Sequence, residues 1–126
     1  MKILVIEDNP THSKLSRVVL SAAGHTVDAV EEAEQALSAI KRDKPDIILL
    51  DMALPGMDGL TLVGKLRADP ETRTIPIVVV TSYLDRFTKN DVLAAGCESY
   101  VIKPIDTRTF AGLVSEIAFA RQMRIN

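Results

Sequence analysis
The chain has 126 residues, 47% hydrophobic and 25% charged, with a formal net charge of -2; this suffices for one continuous core and leaves no room for a second domain. The acidic balance excludes a nucleic-acid surface of clustered basic residues, and a single cysteine, Cys97, excludes an internal disulfide or a cysteine-based zinc site and fits a reducing cytoplasm. No apolar run approaches the roughly 18 residues of a membrane span, and the run after Met1 is too short for a signal peptide.

Lys2-Ile3-Leu4-Val5-Ile6 predicts a first strand that delivers Glu7 and Asp8 at its C-terminal end. Asn9 suits a helix N-cap and Pro10 the first helical position. Leu15, Val18, Val19 and Ala22 then recur with helical spacing as one face of a helix, and Gly24 supplies the stop. Thr26 to Val30 reads as a second strand, and Ala33, Ala36, Leu37 and Ile40 as the inner face of a second helix that exits through Lys41-Arg42-Asp43-Lys44.

Pro45-Asp46 leads into Ile47-Ile48-Leu49-Leu50, apolar without alternation, as expected of a parallel strand covered on both faces. Asp51 stands at its tip, followed by the loop Met52 to Gly59. Asp58 can cap a third helix with Gly59, Leu62, Val63 and Leu66 inside, ending before Pro70. Pro76 to Val80 is a fourth buried strand that delivers Thr81 and Ser82.

Leu84 to Ala95 predicts a fourth helix with the weakest apolar stripe, hence the least firmly docked. Gly96 ends it, Ser99 to Ile102 is the fifth strand, and Lys103-Pro104 stands at its tip. Asp106 or Thr107 caps a last helix with Phe110, Leu113, Val114 and Ile117 inward, before a polar tail from Arg121 to Asn126. Five strand-helix pairs with short joints make a doubly wound α/β fold, because each parallel crossover is right-handed and covers a face.

The strand tips carry Glu7 and Asp8, then Asp51, then Thr81 and Ser82, then Lys103, with nothing comparable on the second strand. That distribution fits the order 2-1-3-4-5, in which strands one and three flank the switch point where ligands bind. Converging carboxylates require either that one is protonated or that a cation sits among them. Oxygen-only ligands select a hard ion, and a small acidic site suits Mg²⁺. Beside such an ion a carboxylate can attack phosphorus; Lys103 and the Thr81 hydroxyl can then hold phosphoryl oxygens.

Taken together in this order, the residues resemble a response-regulator receiver domain of two-component signalling systems, along the whole chain. Glu7-Asp8 is similar to the family's acidic pair, Asp51 to its phosphoacceptor, Leu54-Pro55 with Gly59 to its loop signature, Thr81 to its conformational hydroxyl, Tyr100 to its switch aromatic, and Lys103-Pro104 to its lysine and usually cis proline bond. The resemblance implies a flavodoxin-like three-layer sandwich with five helices. It also implies Mg²⁺ held by Asp8, Asp51 and the Ala53 backbone carbonyl, with Glu7 acting through water. A histidine kinase or histidine phosphotransfer protein would be the donor, and a face of helix four, strand five and helix five would signal to a protein target. The expectation is a stand-alone receiver spanning residues 1–126 with no output domain, akin to the chemotaxis and cell-cycle single-domain regulators, although Glu7-Asp8-Asn9-Pro10 and Gly96-Cys97-Glu98 resemble single-domain regulators and receivers attached to hybrid kinases alike. Ala53 and Tyr83 occupy positions that tune the acyl-phosphate lifetime in opposing directions.

Rival readings are a flavin protein, an aspartyl-phosphate hydrolase on the same fold, and a phosphate-independent interaction module. The acidic Glu7-Asp8-Asn9-Pro10 turn is the electrostatic opposite of a phosphate-binding loop. The hydrolase would want its nucleophile and a second acid close together after strand one, and the intact acceptor, acidic pair, hydroxyl and lysine count against the interaction module. His12 is expected to be a partly exposed helical histidine without a ligand cluster, Cys97 core filler, and Arg121 with Arg124 a solvated helix end.

Overall fold
A computed structural model of the chain describes residues 1–126 except 53, 55, 56, 83–88 and 126, with the side chains of 122–125 also outside the description. In chain order the elements are β1 (Lys2–Ile6), α1 (Pro10–Ala22), β2 (Thr26–Val30), α2 (Ala33–Arg42), β3 (Ile47–Leu50), α3 (Gly59–Ala68), β4 (Ile77–Thr81), α4 (Lys89–Ala94), β5 (Ser99–Ile102) and α5 (Phe110–Ile125). The five strands form one sheet in the order β2-β1-β3-β4-β5, every pair parallel.

Side chains alternate across a strand, so each unbroken apolar run feeds two cores. Leu4, Ile6, Ile48, Leu50, Ile77 and Val79 face a cluster with Ala36 and Ile40 of α2, Leu62 and Leu66 of α3 and Val92 of α4. Ile3, Val5, Ile47, Leu49, Val78 and Val80 face a second cluster with Leu20 of α1 and Phe110 and Val114 of α5. The result is three layers, with the sheet shielded on both sides and its strand tips left as the place where polar side chains emerge.

Capping chemistry starts two helices where the sequence places them. The Asn9 side chain accepts from the amides of Thr11 and His12, and that of Asp58 from the amide of Thr61. Gly24 and Gly96 adopt φ of 93° and 110°, which only glycine takes without strain, and the helices before them stop there.

Four local readings are corrected or completed. In α1 the buried residues are Ser16 and Leu20, while Val18 is 56% exposed and Leu15 39%. Apolar residues lie on more than one side of this helix, so spacing alone does not choose the face; the small Ser16 lets the backbone approach the sheet. Strand β4 takes in Thr81 as its last residue, because Lys103 donates its amide to the Thr81 carbonyl and extends the ladder by one step. Helix α5 begins at Phe110, after a turn in which the Asp106 carbonyl accepts from Thr109 and Phe110, and the expected tail remains helical to Ile125.

Arg121 is the fourth. Rather than pointing to solvent, it donates to the Thr74 carbonyl (3.2 Å), the Arg73 carbonyl (3.3 Å) and Glu98 Oε1 (2.9 Å). Arg67 of α3 reaches the same turn, donating to the carbonyls of Arg73 (2.9 Å), Ile75 (2.8 Å) and Gly96 (2.9 Å). The two guanidinium groups bond to backbone acceptors and tie α3 and α5 to the turns entering β4 and β5. Lys89–Ala94 of the expected fourth helix is helical, with Val92 buried; 84–88 lie outside the described residues.

Candidate functional site
Strand order decides which tips meet. The Asp51 amide donates to the Ile6 carbonyl (3.0 Å) and the Glu7 amide to that of Val30 (3.0 Å), which continue the ladders past β3 and β1 and set both carboxylates side by side. One carboxylate oxygen each from Glu7, Asp8 and Asp51 lies within 4.8 Å of the others; Glu7 and Asp51 are buried and Asp8 is exposed. Lys103 arrives from beyond β5 and donates to Asp51 Oδ2 (3.0 Å) and Glu7 Oε1.

The charges explain the proton. Fully ionised, three carboxylates against one ammonium leave two negative charges in excess in a mostly buried space. Burial pushes the Glu7 carboxyl up from 4.5 to about 7, and a hydrogen bond to Asp51 adds to this, while Lys103 pulls the other way. For Lys103, burial alone would lower the pKa, but the hydrogen bonds to Glu7 and Asp51 and the charges of both acids together outweigh it and hold the ammonium above its usual range.

A divalent cation is the alternative to that proton, and the donor set fits one. The group contains only carboxylates, as a hard ion prefers, and its exposed Asp8 leaves a side open for bound water. Octahedral Mg²⁺ at ~2.1 Å sets neighbouring oxygens ~3 Å apart and opposite ones ~4.2 Å apart, so acids whose oxygens lie within 4.8 Å of one another would draw together around such an ion. The Ala53 carbonyl, expected as a further ligand, lies outside the described residues, as does Tyr83.

Thr81, at the tip of β4, is fully buried, and its Oγ1 has no hydrogen-bond partner among the described residues. Such a hydroxyl is costly unless something arrives to use it. Tyr100 in β5 is partly buried against the cluster that holds α2, α3 and α4. The Lys103–Pro104 peptide is cis. Beneath the acidic tip Met52 is buried against Gly59, where an added Cβ would meet Met52 Sδ at 2.7 Å and its Cα at 3.1 Å. Cys97 is buried and burial pushes its thiol up to about 11, in keeping with core filler.

His12 is a partly exposed histidine of α1, as expected, and it also borders the site. Its Nδ1 lies 3.0 Å from Lys103 Nζ and 3.7 Å from Glu7 Oε1. The sequence carried a signal for this: helical side chains lean toward the N-terminus of their helix, so a residue in the first turn after a strand tip leans toward that tip. His12 and Lys103, with Leu15, Ser82, Pro104 and Ile105, also line a pocket of about 290 Å³. A hollow of about 560 Å³ lies at the other end of the sheet, between Met1, His25, Pro76 and Phe119, away from the acids.

The family model for the response regulator receiver domain matches residues 3–115. The chain is 40% identical over 105 residues to the response regulator PleD of Caulobacter vibrioides, covering 83% of this chain and 23% of PleD. It is 32% identical over 108 residues to the polar-differentiation response regulator DivK of Brucella anthropi, covering 86% of this chain and 88% of DivK. Among solved structures, the receiver domain of the sensor histidine kinase PA1611 from Pseudomonas aeruginosa is similar, at 28% identity and a TM-score of 0.84, covering 94% of this chain and 97% of that one; it has a magnesium ion coordinated in its active-site cleft.

Proposed function
Because the chain belongs to the response regulator receiver family, signalling domains of two-component systems rather than classical enzymes, we propose that it is a Mg²⁺-dependent phosphoacceptor modified on Asp51. The donor is a histidine kinase or a histidine phosphotransfer protein. An Asp51 carboxylate oxygen attacks phosphorus, the phosphorus–nitrogen bond of the donor's phosphohistidine breaks, and the imidazole leaves with the bonding pair and takes up a proton. The product on this chain is an acyl phosphate.

What carries this reading is the meeting of Glu7, Asp8 and Asp51 with Lys103 at the tips of β1, β3 and β5. A Mg²⁺ held by Asp8 and Asp51, with Glu7 acting through water, would neutralise the incoming anion and polarise a phosphoryl oxygen. Lys103 offers its ammonium to a second phosphoryl oxygen, and the unpartnered Thr81 hydroxyl donates to one of them. Thr81 and Tyr100 then act as the switch that remodels the face of α4, β5 and α5 for a downstream protein target, since added charge biases a bistable element.

On this reading residues 1–126 act as a receiver in the cytoplasm that signals by protein contact, without nucleic acid or membrane insertion, as a monomer or weak dimer. No helix among the described residues is long and apolar enough to cross a membrane.

The test is intact mass after incubation with a small acyl-phosphate donor and Mg²⁺. A gain of ~80 Da is expected for one phosphoryl group, abolished by Asp51→Asn and by chelation. An adduct that persists in Asp51→Asn would place the chemistry elsewhere.

A further inference from the structure
Lysine has three N–H donors and no acceptor, and Lys103 uses all three: on Glu7 Oε1, on Asp51 Oδ2 and on His12 Nδ1. Since the ammonium can only donate, the contact is a hydrogen bond in the tautomer that leaves the lone pair on His12 Nδ1. Two of these acceptors are carboxylates that a cation at the acidic cluster would also claim. The third is a nitrogen, which a hard ion leaves alone.

His12 is also held in place by the chain itself. Its amide donates to Asn9 Oδ1 (3.2 Å), and the Asn9 amide in turn donates to Glu7 Oε2 (3.3 Å), so the first turn of α1 is anchored to the site it borders. The histidine side chain is 45% exposed while that of Lys103 is only 12% exposed. The imidazole therefore forms the solvent-side wall of the ammonium.

We propose that His12 is a positioning residue for Lys103: its Nδ1 retains one ammonium N–H at the mouth of the acidic site, leaving the other two to turn from carboxylate to phosphoryl oxygens. The inference rests on the phosphoacceptor reading of Asp51 and Lys103. It acts through Lys103 and needs no contact between His12 and the phosphoryl group. Asparagine at this position supplies an oxygen acceptor at similar reach, whereas leucine fills the space with none.

The test compares wild type, His12→Leu and His12→Asn in two readouts. The first is NMR of the Lys103 ammonium in the metal-free protein, through its hydrogen-exchange rate. The second is the rate of phosphoryl uptake from acetyl phosphate as a function of Mg²⁺. Loss of one hydrogen bond to a charged group should speed ammonium exchange and slow uptake by roughly three- to tenfold in His12→Leu, with the half-saturating Mg²⁺ concentration unchanged and His12→Asn restoring both. Unchanged exchange in His12→Leu, or no restoration by His12→Asn, overturns the proposal. Should wild type take up no phosphoryl group, the Asp51 reading fails, and the ammonium comparison still decides whether His12 holds Lys103.

Discussion

Lys103 Nζ stands 3.0 Å from Asp51 Oδ2, so the proposed acceptor carboxylate is already paired with a cation before any metal or phosphoryl group arrives. The ammonium and a divalent ion compete for the same oxygens. Lys103→Met removes the competitor while keeping a long side chain, and Mg²⁺ affinity should rise roughly tenfold. Glu7 also loses the partner that lowers its pKa, so in the variant its carboxyl stays protonated to higher pH than in wild type, and calorimetric titration is therefore compared across a pH series rather than at one pH. Weaker Mg²⁺ binding in the variant would mean that the lysine supports the site rather than competing for it. Phosphoryl-dependent signalling should be impaired even where the group still attaches.

The Glu7 proton makes metal-free stability depend on pH. Its folded pKa, about 7, lies above the ordinary 4.5, so the folded state keeps a proton that the unfolded chain gives up. The stabilisation is fully present below about pH 4.5 and is lost as pH rises through about 7. Mg²⁺ replaces that proton. Thermal melts should therefore show a larger Mg²⁺-induced rise at about pH 8 than at about pH 5.5, and an equal rise at both would show that Glu7 binds no proton in the metal-free fold.

Thr81 has a buried hydroxyl without a partner among the described residues, which reverses the usual sign of a polar-to-apolar change. Thr81→Val keeps the branched shape and removes the unsatisfied oxygen, so urea denaturation should find the metal-free protein as stable as wild type or more stable by about 1 kcal/mol. The phosphorylated form should lose its conformational response. A destabilisation of that size instead would show that the hydroxyl has a partner in the resting fold.

Arg67 donates to three backbone carbonyls, of residues 73, 75 and 96, in a planar fork that lysine cannot reproduce. Arg67→Lys should cost about 2 kcal/mol in chemical denaturation. Amide exchange after Gly96 should accelerate, because the turn between α4 and β5 loses its tie to α3. A change within a few tenths of a kcal/mol would assign the stability of that turn to packing alone.

The strands were legible because unbroken apolar runs such as Ile47 to Leu50 have no comfortable place except a sheet covered on both faces. Asn9 and Asp58 were legible as caps because a cap is a contact over two or three residues. The face of α1 was not. Leu15 and Val18 fit helical spacing as well as Leu20 does, and only the sheet beneath selects Ser16 and Leu20. Arg67 and Arg121 were unreadable for another reason: their partners are mainly backbone carbonyls, which carry no side-chain identity.

Local sequence alone determined which side chains stand at the ends of strands, since the breaks after Ile6, Leu50 and Ile102 are properties of a few neighbouring residues. Tertiary structure decided which of those ends touch. Lys103 and Glu7 are 96 positions apart, and nothing short of the strand order and the parallel register brings an ammonium between two carboxylates or leans His12 against it. Their charges interact strongly because water is largely excluded there, and that exclusion is a product of the assembled sheet and its helices rather than of any one segment.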